Sequence, residues 1–215
     1  MSTFWQLLTD EERLALSRTG RILDFTAGQP VIRELDQERW IAVLLGGQAR
    51  VLVGPAARVV AIRRAGDVVG ELAMIDSDPR SATVEAAMRV RALVLSVDQY
   101  RSVVEARPRI MQLVLRVVAQ RLREADRRRG DDGQHLRTRF ASLLIEYVDD
   151  YGIPDQQGIF VPITSQADVA SVVRASRGSL AKVLSQLRRQ HVLSTVRGAF
   201  VVHDPDRLRD LATSR

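Results

Sequence analysis

The hydrophobic period of this chain changes at Pro108, and that change limits what it can fold into. Before it, from Arg21 to about Val97, apolar residues come in short β-rich runs: WIAVLL, ARVLV, RVVAIR, TVEAAM and RALVLSV. Gly28, Gly46-Gly47, Gly54-Pro55, Gly66-Asp67 and Asp78-Pro79 punctuate them. Many short strands at roughly even spacing, separated by turn residues, predict an all-β roll or barrel. After it, RIMQLVLRVVAQRLREADRRR carries apolar residues at helical spacing in two adjacent stripes. One is Ile110, Val114 and Val117; the other is Met111, Leu115, Val118 and Leu122. A helix apolar over so wide an arc must bury two sides. Either one side packs on its own β region and the other meets a symmetry mate, or both are buried within one domain. Gly130-Asp131-Asp132-Gly133 breaks the helix and is the best hinge in the chain.

The ends of the chain are helical as well. Residues 1–18 predict a short amphipathic helix, with Thr9 and Glu12 as a capping box ahead of Leu14 and Leu16. LRTRFASLLIEYVDDYG predicts another, with Leu136, Phe140, Leu143, Leu144 and Val148 on its apolar face. A loop with Pro154, Gly158 and Pro162 follows, then two short helical patterns and a hairpin, VLSTVRGAFVV, turning at Arg197-Gly198. There is no internal repeat.

Composition narrows the chemistry. Cysteine is absent, which excludes disulfides, thiolate metal sites and iron–sulfur clusters. The three histidines, His135, His191 and His203, show no metal-ligand spacing, so neither a metal nor haem is expected, although a single catalytic or haem-ligand histidine stays open. The net charge of +6 suits a polyanionic partner. Of the 32 basic residues only Lys182 is lysine, a skew that a GC-rich genome would also produce. No 18-residue apolar stretch and no signal-peptide pattern occur, so a cytoplasmic protein with no membrane partner is expected.

Two constellations carry chemistry. In SQADVASVVRASRGSLAKVLSQLRR, Ser165 with Asp168 offers a capping box for one helix and Ser176 can cap a second. Val169, Val172 and Val173 then face inward from the first, and Leu180, Val183, Leu184 and Leu187 from the second. Arg177, Gly178, Ala181, Lys182, Ser185, Arg188 and Arg189 are left outside. Two short helices around a tight turn, with basic residues opening the second, suit the major groove of DNA. Arg177 and Lys182 could reach guanine or phosphate, and Arg197 at the hairpin tip could reach backbone phosphate. The same pattern fits an ordinary helical hairpin with solvated arginines. In Gly70-Glu71-Leu72-Ala73-Met74 and Pro79-Arg80-Ser81-Ala82-Thr83, glycine lets a ligand approach the backbone, while Arg80 and Ser81 can receive a phosphate. Glu71 could accept a bond from a ribose hydroxyl.

The second constellation, GELAMIDSDPRSATVEA, resembles the phosphate-binding cassette of the cyclic AMP receptor protein/FNR family of bacterial transcription regulators. ASRGSLAKVLSQL is similar to that family's recognition helix, and VLSTVRGAFVVHDPDRLRDL to its wing and tail. The likeness covers nearly the whole chain. It implies an α+β protein with a jelly-roll-like β-roll over residues 1–107, a dimerisation helix and hinge over 108–133, and a winged helix-turn-helix over 134–215. It also implies a homodimer paired through Ile110, Leu113, Val114, Val117 and Arg121, with double-stranded DNA and RNA polymerase as partners.

By position, the resemblance gives Gly70, Glu71, Leu72, Ala73, Arg80, Ser81 and Ala82 to a cyclic nucleotide, cyclic AMP or cyclic GMP, with Arg121 meeting Glu71. Ser165, Ser176, Arg177, Gly178, Ser179, Lys182 and Arg197 fall at the DNA. Several residues depart from the family's pattern. Ala125 and Asp126 stand where cyclic-AMP-responsive members carry Thr-Ser beside the purine; a carboxylate there could accept from guanine better than from adenine, or it could disfavour purine altogether. Gly178 stands where many members have Glu, Lys182 where many have Arg, and Arg174 and Leu35 at turns where glycine is usual. Two other functions compete with ligand-gated DNA binding: a regulator that needs no nucleotide, and an enzyme acting on nucleotides. The enzyme is not expected, because no base, nucleophile and metal site converge.

Overall fold

The computed structural model describes residues 3–75, 78–130 and 135–213, the side chains of Ala73 and residues 127–130 excepted. The chain divides into two compact units, Ser2–Arg123 and Glu124–Arg215.

The expected N-terminal helix is two helices, α1 (Phe4–Leu7) and α2 (Asp10–Thr19). The break has a local cause. Thr3 with Gln6 and Thr9 with Glu12 each form a complete capping box, so a second helix must start where the first ends. The roll follows as β1 (Arg21–Phe25), β2 (Pro30–Ile32), β3 (Trp40–Gly46), β4 (Gln48–Val53), β5 (Arg58–Arg64), β6 (Val68–Val69), the one-turn helix α3 (Leu72–Ile75), β7 (Thr83–Ala86) and β8 (Val90–Ser96). They form two antiparallel four-stranded sheets, β1-β8-β3-β6 and β2-β7-β4-β5.

Alternation explains why β3 and β8 read as unbroken apolar runs. Ala42, Leu44, Ala92 and Val94 point into the roll, where they meet Phe25, Ile32, Ala49 and Val84. Ile41, Val43, Leu93 and Leu95 point the other way, onto Phe4, Leu8 and Leu16 and onto the helices after the roll. A strand buried on both faces has no polar side to interrupt it.

Those helices are α4 (Val97–Ala106), for which the sequence carries no expectation, and α5 (Pro108–Gly130). Proline at the first position of α5 gives up no helical hydrogen bond. Within the single chain, α5 turns the residues expected at a dimer seam toward the roll. Ile110, Leu113 and Val114 are 0%, 7% and 1% exposed within the single chain. Val117 packs against the same cluster, and Arg121 is turned toward the roll. All five therefore face their own domain. The outward apolar residues are Leu115 (48% exposed) and Leu122 (60%), while half-buried Val118 packs against the inner cluster. Two stripes of equal apolarity are interchangeable in a sequence; only the position of the roll decides between them. The expected hinge lies, from Asp131 to Gly133, outside the described residues.

The second unit carries α6 (Leu136–Tyr151), β9 (Ile153–Asp155), β10 (Gly158–Pro162), α7 (Gln166–Val172), α8 (Arg177–Arg189), β11 (Leu193–Val196), β12 (Ala199–Val202) and α9 (Pro205–Thr213). The segment expected as a loop around Pro154 is a hairpin at the edge of the sheet β11-β12-β10-β9. An edge strand tolerates proline because its outer N–H needs no partner. Phe140 and Phe200 meet edge to face at 5.7 Å in the centre of this unit, among Leu144, Leu180, Leu184 and Leu187.

Candidate functional site

In the first unit, β6 ends at Gly70 in the left-handed region, with φ 83°. A Cβ there would stand 2.7 Å from the Trp40 carbonyl and 3.0 Å from Arg80 Nη1, so both conformation and space call for glycine. Arg80 returns beneath this turn and is 3% exposed. Its Nε donates to the Glu38 carbonyl at 3.0 Å, Nη1 to the Gly70 carbonyl at 3.0 Å and Nη2 to the Trp40 carbonyl at 2.6 Å. Its guanidinium also lies 5.4 Å from the centroid of the Trp40 ring. Burial lowers its pKa, and the charges of Asp36 and Glu71 oppose that shift. Beside it opens a recess of about 240 Å³, lined by Phe25, Pro30, Ile32, Asp36, Trp40 and Arg80 among others.

Glu71 is 5% exposed, and Arg121 of α5 reaches it with Nη1 at 2.5 Å from Oε1. Arg121 Nη2 donates to the Val68 carbonyl at 2.7 Å. One guanidinium thus joins the long helix to the strand and the carboxylate that precede α3. A buried carboxylate needs such a partner. Burial, helped by the Glu71 charge, pushes the Tyr100 phenol up to about 12. Leu72 and Ser81 are exposed and Ala82 is half-buried, while the Ala73 side chain lies outside the described residues. Ala125 and Asp126 are exposed on α5, on the part that belongs to the second unit. The structure therefore brings Gly70, Glu71, Arg80 and Arg121 together. The acceptors that hold Arg80, the carbonyls of Glu38 and Trp40, had no signal in the sequence, because every residue has a carbonyl.

In the second unit, Ser165 Oγ accepts from the Asp168 amide at 3.0 Å and Ser176 Oγ from the Ser179 amide at 3.0 Å. The two caps open α7 and α8 in turn. Leu180, Leu184 and Leu187 anchor α8 inward. Arg177, Gly178, Ser179, Ala181, Lys182, Arg188 and Arg189 are exposed. A Cβ on Gly178 would meet nothing closer than 3.9 Å, so that position is open at the surface. Arg197 is exposed at the β11–β12 turn, which the Gly198 carbonyl ties to the Ile163 amide at 2.8 Å.

Two family models match the chain in tandem: a cyclic nucleotide-binding domain over residues 22–107 and a Crp-like helix-turn-helix domain over residues 138–211. The chain belongs to the cyclic AMP receptor protein/FNR family. It is a DNA-binding transcription regulator of that family and not an enzyme. Its relatives within the cyclic AMP receptor protein/FNR family match over nearly their whole length. A CRP-like cAMP-activated global transcriptional regulator of Mycobacterium tuberculosis is 26% identical over 201 residues, covering 90% of this chain and 89% of the relative. The Cyclic AMP receptor protein of Thermus thermophilus is 25% identical, covering 97% and 95%. A CooA mutant from Carboxydothermus hydrogenoformans shares the fold with a TM-score of 0.77 at 16% identity, covering 99% of this chain and all of that one. No helix among the described residues is long and apolar enough to cross a membrane.

Proposed function

We propose that the chain acts as a homodimer in the cytoplasm and that a cyclic nucleotide held at the cassette gates its grip on DNA. The observation that carries this reading is the buried Glu71–Arg121 pair, which ties the cassette to the long helix, with Arg80 beside it. Three of the five N–H donors of Arg80 are taken by carbonyls, which leaves two to meet an anion together with the exposed Ser81 hydroxyl. The cAMP-activated relative supports a cyclic nucleotide as ligand class. At the DNA we assign Arg177 and Lys182 to base edges, with Ser165, Ser176, Ser179 and Arg197 at phosphates. With Gly178 in place of Glu, the reading face carries no carboxylate acceptor. RNA polymerase is the further partner that an activator of transcription would engage.

Calorimetric titration with cyclic AMP and with cyclic GMP tests the sensor. Binding of either, lost in Arg80→Lys while the fold persists, supports the cassette. The preference between the two decides whether Asp126, which the resemblance puts beside the base, selects guanine. No heat and no thermal shift at millimolar ligand sinks the nucleotide reading. One observation favours a second reading in that case: the three carbonyl bonds make Arg80 a strut of the fold, and the protein binds DNA without nucleotide.

A further inference from the structure

Helix α1 is a single turn, too short to be stable alone, and such a helix leaves its last carbonyls without partners inside it. Guanidinium groups take three of them. Arg13 of α2 donates Nε to the Trp5 carbonyl at 2.9 Å and Nη2 to the Gln6 carbonyl at 3.2 Å. Arg109, at the start of α5, donates Nη2 to the Leu7 carbonyl at 2.9 Å and pairs with Glu12, whose side chain closes the cap of α2. The corner formed by α1 and α2 is thus fastened to the first turn of α5.

The other side of the corner lies on the turn between β5 and β6. The Trp5 amide donates to the Gly66 carbonyl at 3.0 Å. Gly66 is left-handed at φ 92°, and a Cβ on it would stand 2.2 Å from Thr3 Oγ1, so the corner sits directly on the turn. The Gly66 amide donates to the Leu44 carbonyl at 2.7 Å, and the Leu44 amide to the Asp67 carbonyl at 2.9 Å. Val68 follows, whose carbonyl receives Arg121, and then Gly70 and Glu71. The contacts close a circuit. Arg109 binds α5 to the corner, the corner holds the turn, and the turn returns through Val68 to Arg121, about 18 Å further along α5.

We propose that the α1–α2 corner positions the cassette against α5, and that Arg109 is a positioning residue for nucleotide binding although its partners, Leu7 and Glu12, lie outside the cassette. This rests on the reading of the cassette as the nucleotide site. Without Arg109, α1 loses the bond that holds its C-terminal end, and the turn at Gly66 loses its cover. Glu71 and the Val68 carbonyl then no longer meet Arg121 in a fixed register.

Hydrogen exchange read by mass spectrometry on the full-length protein tests this, with titration of cyclic AMP and cyclic GMP in parallel. Arg109→Gln should speed exchange several-fold over α1 and also over Gly66–Glu71, and should weaken nucleotide binding several-fold. Arg109→Lys can still donate to the Leu7 carbonyl and should restore most of both. Arg50→Gln opens the ion pair to Glu85 on the other sheet and should leave exchange at Gly66–Glu71 unchanged, which separates local release from general loss of stability. Faster exchange confined to α1 and α2 in Arg109→Gln would overturn the proposal, since the corner would then only cover the roll. Wild-type nucleotide affinity in that variant would overturn it as well. Failure of the wild type to bind either nucleotide would bring down the reading of the cassette, and with it the binding role of Arg109, while the exchange pattern would still decide whether corner and cassette are joined.

Discussion

Glu12 shows how one carboxylate can serve two elements. Its side chain accepts the Thr9 amide at 2.8 Å, which closes the capping box of α2, and it also receives Arg109 at the start of α5. Arg109 Nη2 reaches on to the Leu7 carbonyl at 2.9 Å. Burial alone would push the Glu12 carboxyl up, but the Thr9 amide and the Arg109 guanidinium outweigh it and hold its pKa below the usual carboxylate value. A carboxylate with a lowered folded pKa stabilises fully above its unfolded pKa and loses that contribution as pH falls through the folded one. Melting followed from pH 7 to pH 3 should therefore show a shallower acid loss for Glu12→Gln than for the wild type. At pH 7 the variant should be less stable by about 1 kcal/mol, since Arg109 is half exposed and its pair is screened. Parallel curves would show that the pair contributes nothing to folding. Half of this arrangement was legible: T-x-x-E before a helical pattern marks the cap, but nothing marks an arginine 97 residues away.

On the scale of elements, α5 has an inner and an outer apolar side. Ile110, Leu113 and Val114 close the core of the first unit, with Val118 packed against it, while Leu115 and Leu122, seven residues apart, face outward. Ile110→Ala should cost about 2–5 kcal/mol of stability, as removal of a fully buried aliphatic side chain does. Leu122→Glu should leave the melting temperature of the chain's fold nearly unchanged and shift the dimer toward monomer in sedimentation. A dimer that survives Leu115→Glu and Leu122→Glu together would place the interface elsewhere. The periodicity located the helix and the existence of two apolar sides. It could not rank them, because burial depends on which side the sheet β1-β8-β3-β6 occupies.

For the whole molecule, gating means that ligand and DNA exchange free energy. If a cyclic nucleotide tightens DNA binding by a factor of about 5–150, the range usual for coupled sites, then saturating DNA must tighten nucleotide binding by the same factor. Titrating the nucleotide with and without DNA measures both arms of this cycle. Equal nucleotide affinity in the two titrations would mean that the sensor and the DNA-binding unit are not coupled.

What the sequence determined alone was local. Caps at Thr9, Ser165 and Ser176, the proline opening α5, the turn at Arg197-Gly198 and the alternation of the strands follow from side chains acting on neighbouring backbone. The order of cassette and recognition motif was visible for the same reason, since each is a short contiguous segment. Tertiary structure decided what distant residues do to one another: Arg80 anchored on the carbonyls of Glu38, Trp40 and Gly70, Arg121 on the Val68 carbonyl, Arg139 on Val173, and the inner stripe of α5 on the roll. Guanidinium groups seek acceptors wherever the fold supplies them, and backbone carbonyls leave no trace in the identity of the residue that carries them.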